Sequence, residues 1–310
     1  MPTPVIIDCD PGHDDVFAIW LAAGNPALDL LAITTVSGNG FLEHTTHNAR
    51  IACTVAGIVG VPIASGADRP LVREVKTAPH IHGDNALGGP VLPEPTVPID
   101  ERSAVQLIAD TLDASEVPVT LLPTGPLTNI ARFVQEFPDK LAKVEKIVWM
   151  GGSTARGNRV PYAEFNSWAD PEAVDIVLKS GIPFTMVGLN ITHQALITSD
   201  VIARIGAIGN ETSSFGVELL EFFCSTYRES YKMADGPLHD PVAVALVADP
   251  TVVDTVFSRL DIELAGTETA GATSVDLLDQ LHREPNATIA MTLHVDAFWD
   301  LIVDAISTLR

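Results

Sequence analysis

Short runs of β-branched and aliphatic residues alternate along the chain with longer stretches whose apolar positions recur every three to four residues. Val5–Cys9, Asp29–Val36, Val117–Leu122, Lys146–Met150 and Pro183–Val187 read as strands, and Ala49–Val59, Ala104–Leu112, Leu127–Phe137 and Pro171–Leu178 as crossover helices. This alternation predicts an α/β fold: a single three-layer domain over residues 1–310, with a mainly parallel central sheet flanked by helices. Val201–Ala234 is helical in pattern and without strand signals, so it is expected to form a flap or cap over the sheet, near the active site. Thr288–Val295 adds a late strand before a C-terminal helix, Ala297–Leu309. Pro90–Pro98 is proline-dense and reads as an extended surface loop, and neither a Ser/Gly linker nor a clear repeat divides the chain.

Composition narrows the function. With 46% hydrophobic and 19% charged residues, 310 residues can bury a large core, so disorder is not expected. Eighteen basic against 40 acidic residues leave a net charge of −22, which argues against nucleic-acid and anionic-membrane partners and repels polyanionic substrates. The first residues lack the basic and apolar regions of a signal peptide, and no apolar run is long enough to span a bilayer. Cys9, Cys53 and Cys224 show no paired spacing, so neither a disulfide framework nor a zinc ribbon is indicated. A reduced, cytoplasmic protein is the expectation.

The chemistry is concentrated where the first strand ends. Val5-Ile6-Ile7 runs directly into Asp8-Cys9-Asp10-Pro11-Gly12-His13-Asp14-Asp15, four carboxylates within eight residues. The C-terminal ends of strands are where open α/β sheets bind ligands. Carboxylates this close repel one another unless a cation or charge-assisted hydrogen bonds compensate. An Asp-rich helix N-terminus would account for Asp14 and Asp15 but not for the pair on the strand side. A hard divalent cation, calcium or magnesium, accounts for all four. The pair Asp8-x-Asp10 also suggests an aspartyl-phosphate enzyme, but Pro11-Gly12 follows where a small spacer and Thr or Val belong, and the acidic chain is a poor phosphate binder.

Asp8 to Asp15 resembles the DTDPGxDD signature of the inosine–uridine-preferring nucleoside hydrolases. Further matches follow in family order: Val36-Ser37-Gly38-Asn39, Pro123 to Asn129, Met150-Gly151-Gly152, Glu164-Phe165-Asn166 with Asp170 to Ala173, and His239-Asp240-Pro241. Together they cover roughly residues 4 to 300. The resemblance implies the family's single-domain α/β fold, a Ca2+ cofactor and hydrolysis of the N-ribosidic bond of ribonucleosides. It also implies roles for individual residues. Asp10, Asp15, Asp240 and the Thr124 carbonyl would hold calcium. Asp10 would also serve as the base that takes a proton from metal-bound water. Asp14, Asn39 and Asn166 would contact the 2′- and 3′-hydroxyls, Asn158 and Glu164 the 5′-hydroxyl, and Met150 and Phe165 would line the sugar pocket.

Carboxylates suit this reaction because cleavage develops positive charge on the sugar. The departing base, in contrast, needs a proton or donors. His82 and His239 match positions that the family places beside it, and either can be the acid. Tyr227 and Tyr231, four apart on a predicted helix, face the same side. One departure stands out: the family often reads HGxxGLGG where this chain has His82-Gly83-Asp84-Asn85-Ala86-Leu87-Gly88-Gly89, with Ala86 in place of a glycine. That change bears on the mobility of the His82 loop and on base preference.

The remaining candidates have plainer readings. His44-x-x-His47 and His80-x-His82 lack the partners a zinc site needs. Cys9 alternates with Asp8 and Asp10, hence points to the opposite face as a small hydrophobe. The four tryptophans are scattered, as core residues are. A phosphorylase and a calcium-dependent nucleoside-binding protein without turnover are the competing functions. The acidic site disfavours the first, and an intact Asp10 disfavours the second. The resemblance further suggests a homodimer or homotetramer acting on small-molecule ribonucleosides.

Overall fold

The computed structural model describes residues 1–310. In chain order its elements are β1 (Thr3–Cys9), α1 (His13–Gly24), β2 (Leu28–Thr35), α2 (Leu42–Ala56), β3 (Ile63–Ser65), α3 (Pro79–His82), α4 (Ala104–Ala114), β4 (Val119–Pro123), α5 (Thr128–Glu136), β5 (Val144–Met150), α6 (Phe165–Ala169) and α7 (Pro171–Leu178). There follow β6 (Phe184–Val187), α8 (Leu189–Thr192), α9 (Ser199–Gly206), α10 (Glu211–Tyr231), α11 (Pro241–Ala248), β7 (Val253–Ile262), β8 (Thr273–Asp276), β9 (Ala287–Leu293) and α12 (Val295–Ser307).

All nine strands belong to one sheet, ordered β3-β2-β1-β4-β5-β6-β9-β7-β8. From β3 to β9 neighbouring strands are parallel, and β7 runs antiparallel to both β9 and β8. The chain builds outward from β1 to β3, then returns to lay β4 on the other side of β1. This reversal opens a crevice beyond the C-terminal ends of β1 and β4, the place where such sheets bind ligands. Asp10 follows β1 and Thr124 follows β4 at that crevice, with the Thr124 N–H donating to the Asp8 carbonyl at 2.8 Å.

The alternation of side chains along β1 divides the core. Val5, Ile7 and Cys9 join the larger apolar cluster, with α1, α2, α10, α11 and α12, while Ile6 joins the smaller one, with α4, α5 and α7. Cys9 therefore points away from Asp8, as its register predicts, into the buried core. Helix α1 is buried almost all round because α2, α10, α11 and α12 surround it; at Gly24 a Cβ would lie 2.4 Å from the Ala305 carbonyl oxygen. No helix is long and apolar enough to cross a membrane.

Several boundaries differ from the sequence expectations. Helix α2 begins seven residues before Ala49, because Leu42 to Asn48 carry too many polar residues to show an apolar stripe. Strands β3, β7 and β8 carry no signal in the pattern: β3 has only three residues, and β7 exposes Asp254 to Phe257 in succession. The Val201–Ala234 segment is two helices, broken by Gly209 at φ +77°. The proline-rich 90–98 segment forms no regular element and is tied down by Arg50, which donates to the Val97 and Pro95 carbonyls.

Candidate active site

Above the crevice lies an open cleft. Each site residue named from the sequence lines it, except Asp10 and Asp15, which are at most 1% exposed and lie beneath its floor. The structure thus gathers residues from Asp14 to Asp240 into one place.

The floor is a carboxylate cluster. Oxygens of Asp14, Asp15 and Asp240 lie within 4.8 Å of one another, all buried. Helix α1 positions the first two: Asp15 accepts the Gly12 N–H at 3.0 Å and the Asp10 N–H at 3.3 Å, as a carboxylate in the first helical turn is placed to do. Thr124 Oγ1 donates to Asp15 at 2.7 Å, and Asn39 Nδ2 at 3.2 Å. Asp10 sits beside the trio, its Oδ2 accepting the Asn39 N–H at 2.6 Å. Two glycines let the chain pass so close: a Cβ on Gly38 would lie 2.0 Å from Asp10 Oδ2, and one on Gly125 2.6 Å from Oδ1.

The charges are not balanced within the protein. Burial pushes the carboxyl of Asp14 up to about 8, with Asp15 adding to it, and raises Asp10 and Asp240 well above the ordinary range. No lysine or arginine answers them, and Asp10 Oδ1 and Asp14 Oδ1 are buried without a hydrogen-bond partner. An all-oxygen, over-charged, partly unsatisfied donor set of this kind fits a hard divalent cation. Asp8 is separate. Its Oδ1 accepts from Thr34 Oγ1 at 2.6 Å and from Asn129 Nδ2 at 2.7 Å, its Oδ2 is buried without a partner, and burial pushes its carboxyl up to about 7; it lies outside the group formed by Asp14, Asp15 and Asp240. The sequence groups four carboxylates before Val16, but the structure sets Asp8 one strand residue down, in a hydrogen-bond network with β2 and α5.

The walls carry amides. Asn166 Nδ2 donates to the carbonyls of Thr124 at 2.7 Å and Met150 at 3.0 Å, and Asn158 Oδ1 accepts the Phe165 N–H at 2.9 Å. Glu164 caps α6: its oxygens accept the N–H groups of Asn166, Ser167 and Gly152, and burial pushes its carboxyl up to about 7. The Thr124 carbonyl, as well as its hydroxyl, thus faces the site.

Aromatic and imidazole groups close the roof. His239 is held at both nitrogens, by Thr192 Oγ1 on Nδ1 at 2.7 Å and by the Tyr227 hydroxyl on Nε2 at 2.7 Å. Tyr227 and Tyr231 do share one side of α10, with ring centroids 5.1 Å apart, and the Tyr231 hydroxyl donates to the Asn158 carbonyl at 3.2 Å. The cap therefore supplies part of the site. Burial holds His82 and His239 well below the ordinary histidine range. Ala86, in the His82 loop, is buried at φ +61°, the left-handed conformation that glycine adopts freely, so the loop turns as a glycine would turn it. Sequence reasoning missed Thr192, Phe223 and Arg159; the last stacks its guanidinium 4.7 Å from the Trp168 ring at the cleft. None of the three lies in a recognisable motif.

An amide- and carboxylate-lined cleft above a cation-type carboxylate cluster, at the switch point of a parallel sheet, is suited to gripping a polyol and activating water. Comparison with known proteins gives the class. The profile of inosine-uridine preferring nucleoside hydrolases matches residues 5–300, and the chain belongs to that family. An inosine-uridine preferring nucleoside hydrolase from Leishmania major is 46% identical over 99% of this chain and 98% of its own. The pyrimidine-specific ribonucleoside hydrolase RihA of Escherichia coli (strain SMS-3-5 / SECEC) is 42% identical over 98% of each. Among solved structures, a purine-preferring ribonucleoside hydrolase from Gardnerella vaginalis superposes with a TM-score of 0.91 at 30% identity, covering 98% of both chains. The reaction is hydrolysis of the N-ribosidic bond of ribonucleosides.

Proposed function

We propose that the chain is a calcium-dependent ribonucleoside hydrolase releasing free base and ribose from uridine, cytidine or inosine, with Asp10 as the base. The observation that carries this reading is the buried Asp14, Asp15 and Asp240 cluster with Asp10 beside it, its Oδ1 unsatisfied. Asp10, Asp15, Asp240 and the Thr124 carbonyl hold the ion. Bound there, calcium supplies a hard Lewis acid that polarises water and the ribose diol.

The chain's own groups then divide the work. Asp10, fixed by the Asn39 N–H, takes the proton of the attacking water through its free oxygen. Asp14, Asn39 and Asn166 grip the 2′- and 3′-hydroxyls, and Asn158 and Glu164 the 5′-hydroxyl. Met150 and Phe165 pack on the sugar. The buried carboxylates stabilise the positive charge that grows on the ribose ring. On the opposite side, either His82, or His239 through Tyr227, meets the leaving base with a proton. The same reading places the protein in the cytoplasm, as a single-domain homodimer or homotetramer salvaging nucleosides.

Release of reducing sugar from inosine, uridine, cytidine and adenosine in phosphate-free buffer tests it. Ribose formed without phosphate, lost on prolonged chelation and restored by calcium, is the expected result. A requirement for phosphate would point to a phosphorylase. Calcium and nucleoside binding without any release would point to a binding protein.

A further inference from the structure

His13 is the variable position of the Asp-Pro-Gly-x-Asp-Asp signature, and the mechanism above gives it no task. Yet it is fully buried and makes three polar contacts. Its Nε2 lies 2.9 Å from the Gly88 carbonyl, its Nδ1 3.1 Å from His82 Nδ1, and its main-chain N–H 3.4 Å from that same His82 nitrogen. Phe222 and Phe223 flank the ring, with centroids 5.2 and 5.3 Å away and planes within 9° and 18° of parallel. The ring can neither turn nor withdraw.

Two donors compete for the contact at His82 Nδ1, and the shorter side-chain contact favours one assignment of protons. A carbonyl only accepts, so His13 Nε2 carries the hydrogen, and the Nδ1 of the neutral ring is a lone pair. Two ring nitrogens 3.1 Å apart cannot both present lone pairs, so the hydrogen between them belongs to His82 Nδ1. The main-chain N–H of His13, at 3.4 Å, is the weaker competitor for that nitrogen. His82 Nε2, which makes no hydrogen bond within the chain, is left for the cleft that His82 lines.

We propose that His13 is a positioning residue: by accepting from His82 Nδ1 it fixes the His82 tautomer and ring plane, so that the proton given to the leaving base comes from His82 Nε2. Burial disfavours the imidazolium, so His82 acts as a carrier: water in the cleft delivers a proton to the Nε2 lone pair, the Nε2–H bond then breaks as a base nitrogen takes that proton, the C–N electrons pass to the base, and Nδ1–H stays with His13 throughout. Gly88 anchors the relay from the loop that follows His82, and its own N–H donates to the His82 carbonyl at 2.9 Å. The proposal rests on the reading of His82 as a proton donor.

The experiment compares a natural nucleoside, whose base needs a proton, with 4-nitrophenyl β-ribofuranoside, whose phenolate leaves without one. His13→Leu keeps the bulk between the two phenylalanines and removes both nitrogens. It is expected to lower kcat for uridine or inosine about tenfold or more, with KM little changed, and to lower nitrophenyl riboside turnover by no more than about threefold. His82→Asn should show the same selectivity, and the double variant should lose no more than the worse single one. Equal loss on both substrates from His13→Leu, or no loss on either, overturns the proposal. If His82→Asn itself shows no leaving-group selectivity, it is the reading of His82 that has failed. Nitrogen-15 spectra of the unmodified protein decide the matter without any variant: Nδ1–H on neutral His82 with Nε2–H on His13 is expected, and Nε2–H on neutral His82 overturns the assignment.

Discussion

The Tyr227 hydroxyl lies 2.7 Å from His239 Nε2, and with Thr192 occupying Nδ1 the imidazole has no free nitrogen for a substrate. A proton passing between His239 and a leaving base therefore passes through the phenol. Burial holds the hydroxyl protonated, well above the ordinary tyrosine value, so where His239 rather than His82 is the acid, Tyr227 would be the relay that gives one proton as it receives another.

Tyr227→Phe is accordingly expected to cut kcat for natural nucleosides by about a hundredfold, the lower end of what general acid catalysis supplies. Activated ribosides should be spared. Steady-state kinetics on both substrate types check this, and an equal loss on both would reduce Tyr227 to a packing residue.

Asp10→Asn addresses the other half of the reaction. The amide oxygen can keep the Asn39 N–H bond, so the loop around Gly38 should stay in place while the proton acceptor is lost. Turnover should drop by about a hundredfold to ten-thousandfold, with ribose still bound. Single-turnover rates and a ribose titration separate the two effects, and unimpaired turnover would assign the base elsewhere.

How much of this was legible in the sequence follows from how each residue is used. The central strands, buried on both faces, read clearly as β-branched runs, and the carboxylates announced themselves because charges beside an apolar strand are costly. Strands β7 and β8 did not, since their polar, half-exposed residues resemble loop. Asp8 was grouped with Asp10 by proximity in the chain, but a strand residue and the turn after it face different surroundings. Thr192, Phe223 and His13 act through contacts with residues far away in sequence, and no local pattern marks such a partner.

The separation of Asp8 from the cluster yields its own test. Asp8→Asn should leave calcium affinity within about threefold, because its partners Thr34 and Asn129 touch none of the clustered carboxylates through that group, whereas Asp240→Asn should weaken affinity by at least about tenfold. Calorimetric titration of the two variants distinguishes them. Equal weakening would return Asp8 to the ligand set.

The response of stability to pH and cation follows from the sign of the shifts. Asp14 rises from 3.8 to about 8 on folding, and Asp10 and Asp240 move the same way, chiefly through burial. A folded carboxyl with a raised pKa binds its proton more tightly than the unfolded chain does. The cation-free protein therefore keeps its full stability below about pH 4 as far as these groups are concerned, and loses it as pH climbs through about 8. Calcium binds only the ionised cluster, so it displaces those protons and restores what deprotonation removes. The rise in Tm on adding calcium to chelated protein should be small near about pH 5 and several degrees larger near about pH 8.5. Binding should also release protons, which changing the buffer's ionisation enthalpy in calorimetry will count. A Tm gain that is the same at both pH values, without proton release, would mean that the ion sits somewhere other than on Asp10, Asp15 and Asp240.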